Sequence, residues 1–423
     1  MLRNVFTRGM LAAALLLAPT LASAGSNASA AGSAIKVTLD GKSVPMNAQP
    51  RIVNNYTLVP YASIVSALGG KATWNASAKT VTVASKDVNV TLTVGMKKAV
   101  VNNASQSLDA APAIVNGAMF VPLRFISETF GKWVSYSKPD ATIALRSELT
   151  VTTSSGPVTL KKKPSRIATL TSSDTEIIYA LGGSVVGRPT ALGAVNPPQA
   201  ASVPEIGSTH GILFEKLAAV KPDLVIASPA LQAQKATIQA LGTQVIFNSH
   251  NTYADIQASV RLYGKILGKE TKAGQLIEGM DAKVSGLVKP AAAPTTLIVY
   301  GAPGSFVVAL PTSYPGNFLE LAGGKNAAAG FPKMDGMPQY AELSLERIVA
   351  ANPDLILLIT HGDAAEVKAS FKKQFESNPA WKSLGAVKND RFDVLPSDLF
   401  AANPGLRAPE AISMINKILL EVK

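Results

Sequence analysis

The 423-residue chain holds three histidines, His210, His250 and His361, and no cysteine. Chemistry toward a metal or a metal complex therefore runs through imidazole or carboxylate, since there is no thiolate. No His-Glu-x-x-His, Gly-x-Ser-x-Gly, glycine-rich phosphate loop or cysteine nucleophile occurs, which argues for a protein that binds rather than one that catalyses. His210 and His361 stand out by position. The stretch from Phe214 to Ile226 returns as the stretch from Leu345 to Leu357, Glu215 and Pro222-Asp223-Leu224 being matched by Glu346 and Pro353-Asp354-Leu355 (346 − 215 = 131). His210 lies just before the first copy and His361 just after the second. One imidazole per copy points to a ligand gripped between two lobes of similar build. A zinc receptor would need more ligands than two distant histidines, although carboxylates could complete such a site. His250 follows the apolar Val245-Ile246-Phe247, where a turn-and-cap role is expected and the floor of a cleft is the alternative.

Each copy positions its histidine with ordinary elements. A short helix stops before the proline, and an apolar run suited to a buried parallel strand follows. From Leu149 onward strands alternate with helices: a hairpin from Val151 to Leu160, a strand from Arg166 to Leu170, and a helix capped within Ser173-Asp174-Thr175-Glu176 that ends at Gly182-Gly183. Val185–Gly187, Leu224–Ile226 and Gln244–Phe247 read as further strands. A helix over 253–266 and a second over 270–288 follow, the second about 28 Å long at 1.5 Å per residue and long enough to join two lobes. The expected class is α/β: two Rossmann-like lobes with parallel sheets, one at 148–269 and one at 289–423, joined by one long helix at 270–288.

The remaining chain is organised differently. Residues 1–24 have the layout of a secretory signal, with Arg3 and Arg8, an apolar run from Met10 to Ala18 and the small residues Ala22-Ser23-Ala24. Export and a place at the cell surface are the consequence, although no cysteine is present to carry a lipid anchor. Residues 25–34 form a linker. Residues 35–147 contain a repeat: the segment from Pro50 to Pro60 returns from Pro112 to Pro122 (112 − 50 = 62), and the register persists through Ile64 and Ile126, Trp74 and Tyr136, and Thr80 and Thr142. Each unit reads as strand, tight turn, strand ending in Val-Pro, helix and further strands, a small α+β domain of two units. The formal charge of +12 (40 basic minus 28 acidic) is diffuse. It suits anionic small molecules or wall polymers better than nucleic acid, and Lys161-Lys162-Lys163 reads as a solvated turn.

Residues 35–147 resemble the copper amine oxidase N-terminal-like domain of bacterial surface proteins. They contain neither His nor Cys, so copper is not expected, and the domain is read as a spacer or as a module for a wall polymer or surface partner. Residues 148–423 resemble the class III substrate-binding proteins of ABC importers for iron siderophores, haem and vitamin B12. The motifs are Thr175-Glu176-Ile177, Val186-Gly187, Pro204-Glu205-Ile206-Gly207, Leu321-Ala322-Gly323-Gly324 and the two proline-aspartate copies. Within that family the chain is most similar to the haem receptors of the iron-regulated surface determinant type, over Gly301–Ala309, Ser313-Tyr314, Thr360-His361-Gly362 and Asn378–Lys382.

That resemblance implies a cargo of haem and assigns His361 as an axial ligand of its iron. The family's other axial ligand is a methionine, at whose place this chain has His210. Nitrogen in place of sulfur should lower the reduction potential and favour ferric iron. Tyr314 and Arg188 are candidates to meet haem propionates. Glu215 and Glu346 fall where the family docks one carboxylate per lobe on an ABC permease dimer. The alternatives are a receptor for a ferric siderophore or corrinoid and, from another class, a surface adhesion or wall-binding protein without a transport ligand.

Overall fold

The structure is a computed structural model and describes residues 34–86, 88–191, 193–302, 304–361, 363–371, 373 and 378–422. The expected signal, almost all of the linker, and Gly362 of the His361 motif lie outside the described residues. Among them, no helix is long and apolar enough to cross a membrane.

The N-terminal domain is rich in β-structure. After β1 (Lys36–Leu39), hairpins β2 (Arg51–Val53)/β3 (Tyr56–Pro60) and β4 (Ala113–Val115)/β5 (Ala118–Pro122) are each followed by a short helix, α1 (Tyr61–Ala67) and α2 (Leu123–Thr129). Antiparallel pairs then follow, Lys71–Asn75 with Thr80–Ala84 after α1 and Trp133–Ser137 with Thr142–Arg146 after α2. The hairpin turns are Asn54-Asn55 and Asn116-Gly117, all four residues at positive φ (49°, 67°, 51° and 76°), the backbone that a two-residue turn matching strand twist requires. Strands β3 and β5 pair antiparallel with Leu58 opposite Pro122, Val59 opposite Val121 and Pro60 opposite Phe120. A shift of 62 exchanges the outer two pairs and returns the central one to itself, so a local two-fold axis passes between Val59 and Val121. Val59, Ile64 and Val81 share one core with their counterparts Val121, Ile126 and Ile143.

Three parallel strands form the first α/β half: β6 (Ile167–Thr169), β7 (Leu224–Ala227) and β8 (Gln244–Phe247). Leu224 and Ile226 face one core while Val225 and Ala227 face another, which is why this strand reads as an unbroken apolar run. The strand expected over Val185–Gly187 shrinks to single bridges, Gly187 to Ala168 and Arg188 to Glu205. Pro189 follows at once and has no N–H with which to continue the ladder. Helix α3 (Ser172–Ala180) is capped by Thr171 rather than from within Ser173–Glu176, its hydroxyl accepting from the Asp174 amide.

The second half carries a mixed sheet rather than a parallel one. Strand β9 (Thr295–Ala302) turns back antiparallel into β10 (Ser305–Ala309), with Gly304 at φ +77° in the turn, while β11 (Leu355–Thr360) and β12 (Phe392–Leu395) lie parallel. Two helices, not one, run between the halves. The first, α4 (Tyr253–Leu267), starts with a Thr252/Asp255 capping box and ends at left-handed Gly268. Its Tyr253 and Ile256 sit in a core with Ile298 and Leu357, and its Val260, Tyr263 and Ile266 sit in a core with Ile167 and Leu224. The second, α5 (Glu270–Ser285), runs back with Ala273 and Ile277 in the core of Ile167 and Leu224 and Met280 in the core of Ile298 and Leu357. It ends at Ser285, not at 288, and its 16 residues span about 24 Å at 1.5 Å each. The helices cross closely, since a Cβ on Gly264 would meet that of Ala273 at 2.6 Å.

The β-rich domain packs on the first half. Trp133 is buried among Leu149, Ile167 and Ile266, and its indole N–H donates to the Ile266 carbonyl at 2.9 Å. Lys163 pairs with Glu128 at 2.9 Å across the same junction. Burial pushes the Lys163 ammonium pKa down, and Glu128 opposes that shift.

Candidate functional site

Ligand sites in open α/β sheets gather beyond the carboxyl ends of the strands. His361 stands there, directly after β11, half-buried, with its backbone N–H held by the Gly301 carbonyl at 2.7 Å. Its Nδ1 lies 3.2 Å from the Ala401 carbonyl oxygen and 3.3 Å from the Tyr300 hydroxyl. A carbonyl only accepts, and the Tyr300 hydroxyl donates its own proton to that same carbonyl, so both neighbours of Nδ1 are acceptors. In the neutral ring the proton therefore sits on Nδ1 and the lone pair on Nε2 is left for a metal, the tautomer that histidine ligands adopt. Tyr300 stacks beside the imidazole at 6.1 Å between centroids. Burial holds its phenol pKa up at about 12, so it stays a neutral hydrogen-bond donor.

Tyr314 and Arg188, the candidates for haem propionates, are both engaged within the protein. Tyr314 is 8% exposed, its hydroxyl donates to the Phe400 carbonyl at 2.5 Å, and burial pushes its pKa well up. It builds the wall behind Tyr300 and has no donor left for a propionate. Arg188 is likewise 8% exposed and donates to Glu205 Oε1 and to the Pro189 carbonyl, each at 2.9 Å. Turning it toward a ligand would strand Glu205 without its partner.

His210 occupies the exposed tip of a hairpin, between Gly207-Ser208 and Gly211-Ile212. The hairpin is tight: Gly207 has φ +117°, and a Cβ there would meet the Gly211 carbonyl at 2.3 Å, so only glycine fits. The His210 amide donates to Ser208 Oγ at 3.2 Å. No contact joins His210 to His361 among the described residues. Two hollows, of about 820 and 660 Å³, lie at the junction with the β-rich domain and between α4 and α5, and neither is lined by a histidine.

His250 is buried in the turn after β8, with Nδ1 3.4 Å from Ser173 Oγ and Nε2 3.3 Å from Asp174 Oδ1. It belongs to the helix start rather than to a cleft floor. Asp174, fully buried, accepts from the Tyr263 hydroxyl at 2.5 Å and from Thr171 at 2.5 Å. The two halves are also tied directly: Asn403 donates to the His250 carbonyl at 2.5 Å, and the Leu406 amide donates to Glu176 at 3.0 Å. Burial pushes the Glu176 carboxyl pKa up against the opposing pull of that amide.

Glu215 and Glu346 are exposed and are the second residues of the helices Phe214–Ala219 and Leu345–Ala351, each leading into an interior strand of its half. Among the described residues, no cluster of three or more His, Cys, Asp or Glu side chains could hold a metal ion. Tyr300 and the Ala401 carbonyl went unread in the sequence. A tyrosine ending the apolar run Leu297-Ile298-Val299 was the one available signal.

Residues 167–399, a little over half of the chain, match the periplasmic binding protein family, and residues 38–145 match the copper amine oxidase N-terminal domain. The chain is 27% identical over 263 residues to the high-affinity heme uptake system protein IsdE of Staphylococcus aureus, covering 61% of this chain and 88% of that relative. The crystal structure of S. aureus IsdE complexed with heme is similar at a TM-score of 0.53 and 27% identity, over 60% of this chain and 99% of that one. An ABC transporter substrate-binding protein from Listeria monocytogenes is similar at a TM-score of 0.55 and 31% identity, over 61% and 99%.

Proposed function

The chain belongs to the periplasmic binding protein family, and on that premise we propose that it is the extracytoplasmic receptor of an ABC importer, with haem as its cargo. Members of this family hand over their ligand without changing a bond in it. The observation that carries the choice of cargo is the imidazole of His361, whose Nδ1 is engaged by two acceptors so that Nε2 is free for iron. The 27% identity over 263 residues to a heme uptake protein supports the same reading.

In this reading the halves at 148–269 and 289–423 act as two lobes, haem lies between them, and His361 is one axial ligand. His210, on an exposed turn of the other half, completes the coordination only when haem bridges the two. Glu215 and Glu346 dock the permease dimer, one from each half. Export through residues 1–24 delivers the receptor outside the cytoplasm, and the repeat domain at 35–147 sets its place at the surface.

The test is a titration of the purified protein with ferric haem, read by its visible spectrum. A low-spin spectrum that is lost in His361→Ala and altered in His210→Ala is expected. An unchanged spectrum in both variants refutes the axial assignment, and tight binding of a ferric siderophore without haem binding replaces the cargo while leaving the importer reading in place.

A further inference from the structure

Two smaller hollows in the β-rich domain, about 360 and 250 Å³, are built from the same sequence positions in exchanged roles. The first takes Ile52 and Tyr56 from the first hairpin, and Pro122, Leu123 and Tyr136 from the second unit. The second takes Ile114 and Ala118 from the second hairpin, and Pro60, Tyr61 and Trp74 from the first unit. Each residue lining the second hollow is displaced by 62 from a counterpart in the first, which is larger and adds Phe125, Glu128 and Lys269 among others. The polar edge obeys the same rule, with Asp109 in the first and Asn47 in the second. The two-fold register of β3 against β5 generates this exchange, because each hairpin lies beside the helix start of the other unit.

The sites also share their chemistry. Each has a pair of aromatic rings, Tyr56 with Tyr136 and Tyr61 with Trp74, beside a side-chain carboxylate or amide. In the first groove the rings are open to solvent, Tyr56 at 41% and Tyr136 at 53%, and the isoleucines at the hairpin rims are exposed in both, Ile52 at 60% and Ile114 at 46%. Flat apolar rings bordered by hydrogen-bonding groups match a sugar, whose C–H face packs on an aromatic ring while its hydroxyls reach the polar edge. An anionic polymer fits less well as a ligand common to both grooves, since Arg124 and Lys269 line only the first, while the second contains no lysine or arginine and has nothing to attract phosphate.

We propose that these two grooves are saccharide-binding sites, each accepting a short stretch of a neutral glycan, so that one chain binds two stretches. Duplicate weak sites suit a polymer whose unit repeats, where linkage multiplies the affinity of a single contact. The proposal concerns residues 35–147 and stands apart from the cargo of the α/β halves.

The full chain is titrated with the β-1,4-linked hexamer of N-acetylglucosamine by calorimetry and co-sedimented with purified peptidoglycan. Two hexamers per chain are expected. Tyr136→Ala should remove one site and Ile114→Asp the other, with at least a tenfold loss of hexamer affinity in the double variant. Both positions are exposed, so the variants should fold, and unchanged circular dichroism and thermal melting of the full chain check that they do. Hexamer binding without co-sedimentation assigns the grooves to a glycan other than the wall. No binding to either probe, or full binding by the double variant, overturns the proposal.

Discussion

Replacing Tyr300 by phenylalanine tests whether the environment of His361 is built for a metal. The hydroxyl lies 3.3 Å from Nδ1 and the Ala401 carbonyl lies 3.2 Å from it. The substitution removes one of two acceptors and keeps the ring that stacks beside the imidazole at 6.1 Å. Loss of an outer partner of a ligating histidine costs about 10- to 100-fold in metal affinity. With the Ala401 carbonyl still in place the lower end applies, about tenfold or ~1.4 kcal/mol. The assay is transfer of ferric haem to an apo-globin acceptor, followed by absorbance in wild type, Tyr300→Phe, His361→Ala and the double variant. If Tyr300 acts through His361, the phenylalanine change should cost about tenfold beside histidine and less than twofold beside alanine. Equal losses in both backgrounds would mean that the tyrosine meets the cargo itself. No loss in either would mean that the imidazole is not held for iron, and the reasoning from tautomer to ligand would fall.

Glu176 has its carboxyl pKa raised above 4.5 by burial, so the folded state holds its proton to higher pH than the unfolded chain, and stability should fall as pH rises through that window. Glu176→Gln keeps an acceptor for the Leu406 amide and should flatten the slope of melting temperature between pH 4 and 7, whereas a variant less stable than wild type at pH 7 contradicts this. Trp133→Ala should cost about 3–5 kcal/mol, and because the indole sits in the core of the first half, hydrogen exchange should rise at residues 260–266. Loosening confined to residues 35–147 would show that the junction is not shared. The double variant Glu215→Ala, Glu346→Ala should bind haem as wild type does and fail in uptake by cells, and a normal uptake rate removes the docking role.

What the sequence made legible follows from where each signal is stored. Strands buried on both faces, such as β7 and β11, announce themselves because every position is apolar, and the Pro-Asp pairs before them mark where helices stop. The helix α4 was read, but that it too connects the halves was hidden for a physical reason. Both α4 and α5 carry ordinary apolar stripes, and nothing in a stripe says that Ile256 and Val260, four residues apart, face different cores. The pairing of Arg188 with Glu205 was not legible because a bridge between two short segments brings Glu205 back, a contact without a periodic pattern. The setting of His361 was the least legible. Its acceptors include a backbone carbonyl at Ala401, and any residue supplies one, so the amino-acid type carries no trace of the contact.

The two connecting helices bear on how such a receptor could release its ligand. Each places side chains in both cores, so swinging the halves apart would draw Ile256 or Met280 out of one, or Val260 or Ile277 out of the other. Fully burying one such aliphatic or methionine side chain is worth about 1.5–3 kcal/mol, and the Asn403–His250 and Glu176–Leu406 hydrogen bonds add to the resistance. Thermal fluctuation would then seldom open the crevice widely, and affinity has to come from a preformed site, in keeping with an imidazole already oriented by Ala401 and Tyr300. Work to part the halves must enter from outside. If they dock a permease, Glu215 and Glu346 would deliver it, because each is exposed on a short helix that runs into an interior strand of its own half. A permease that moved these two carboxylates differently would strain both helices at once and weaken the grip on whatever His361 holds.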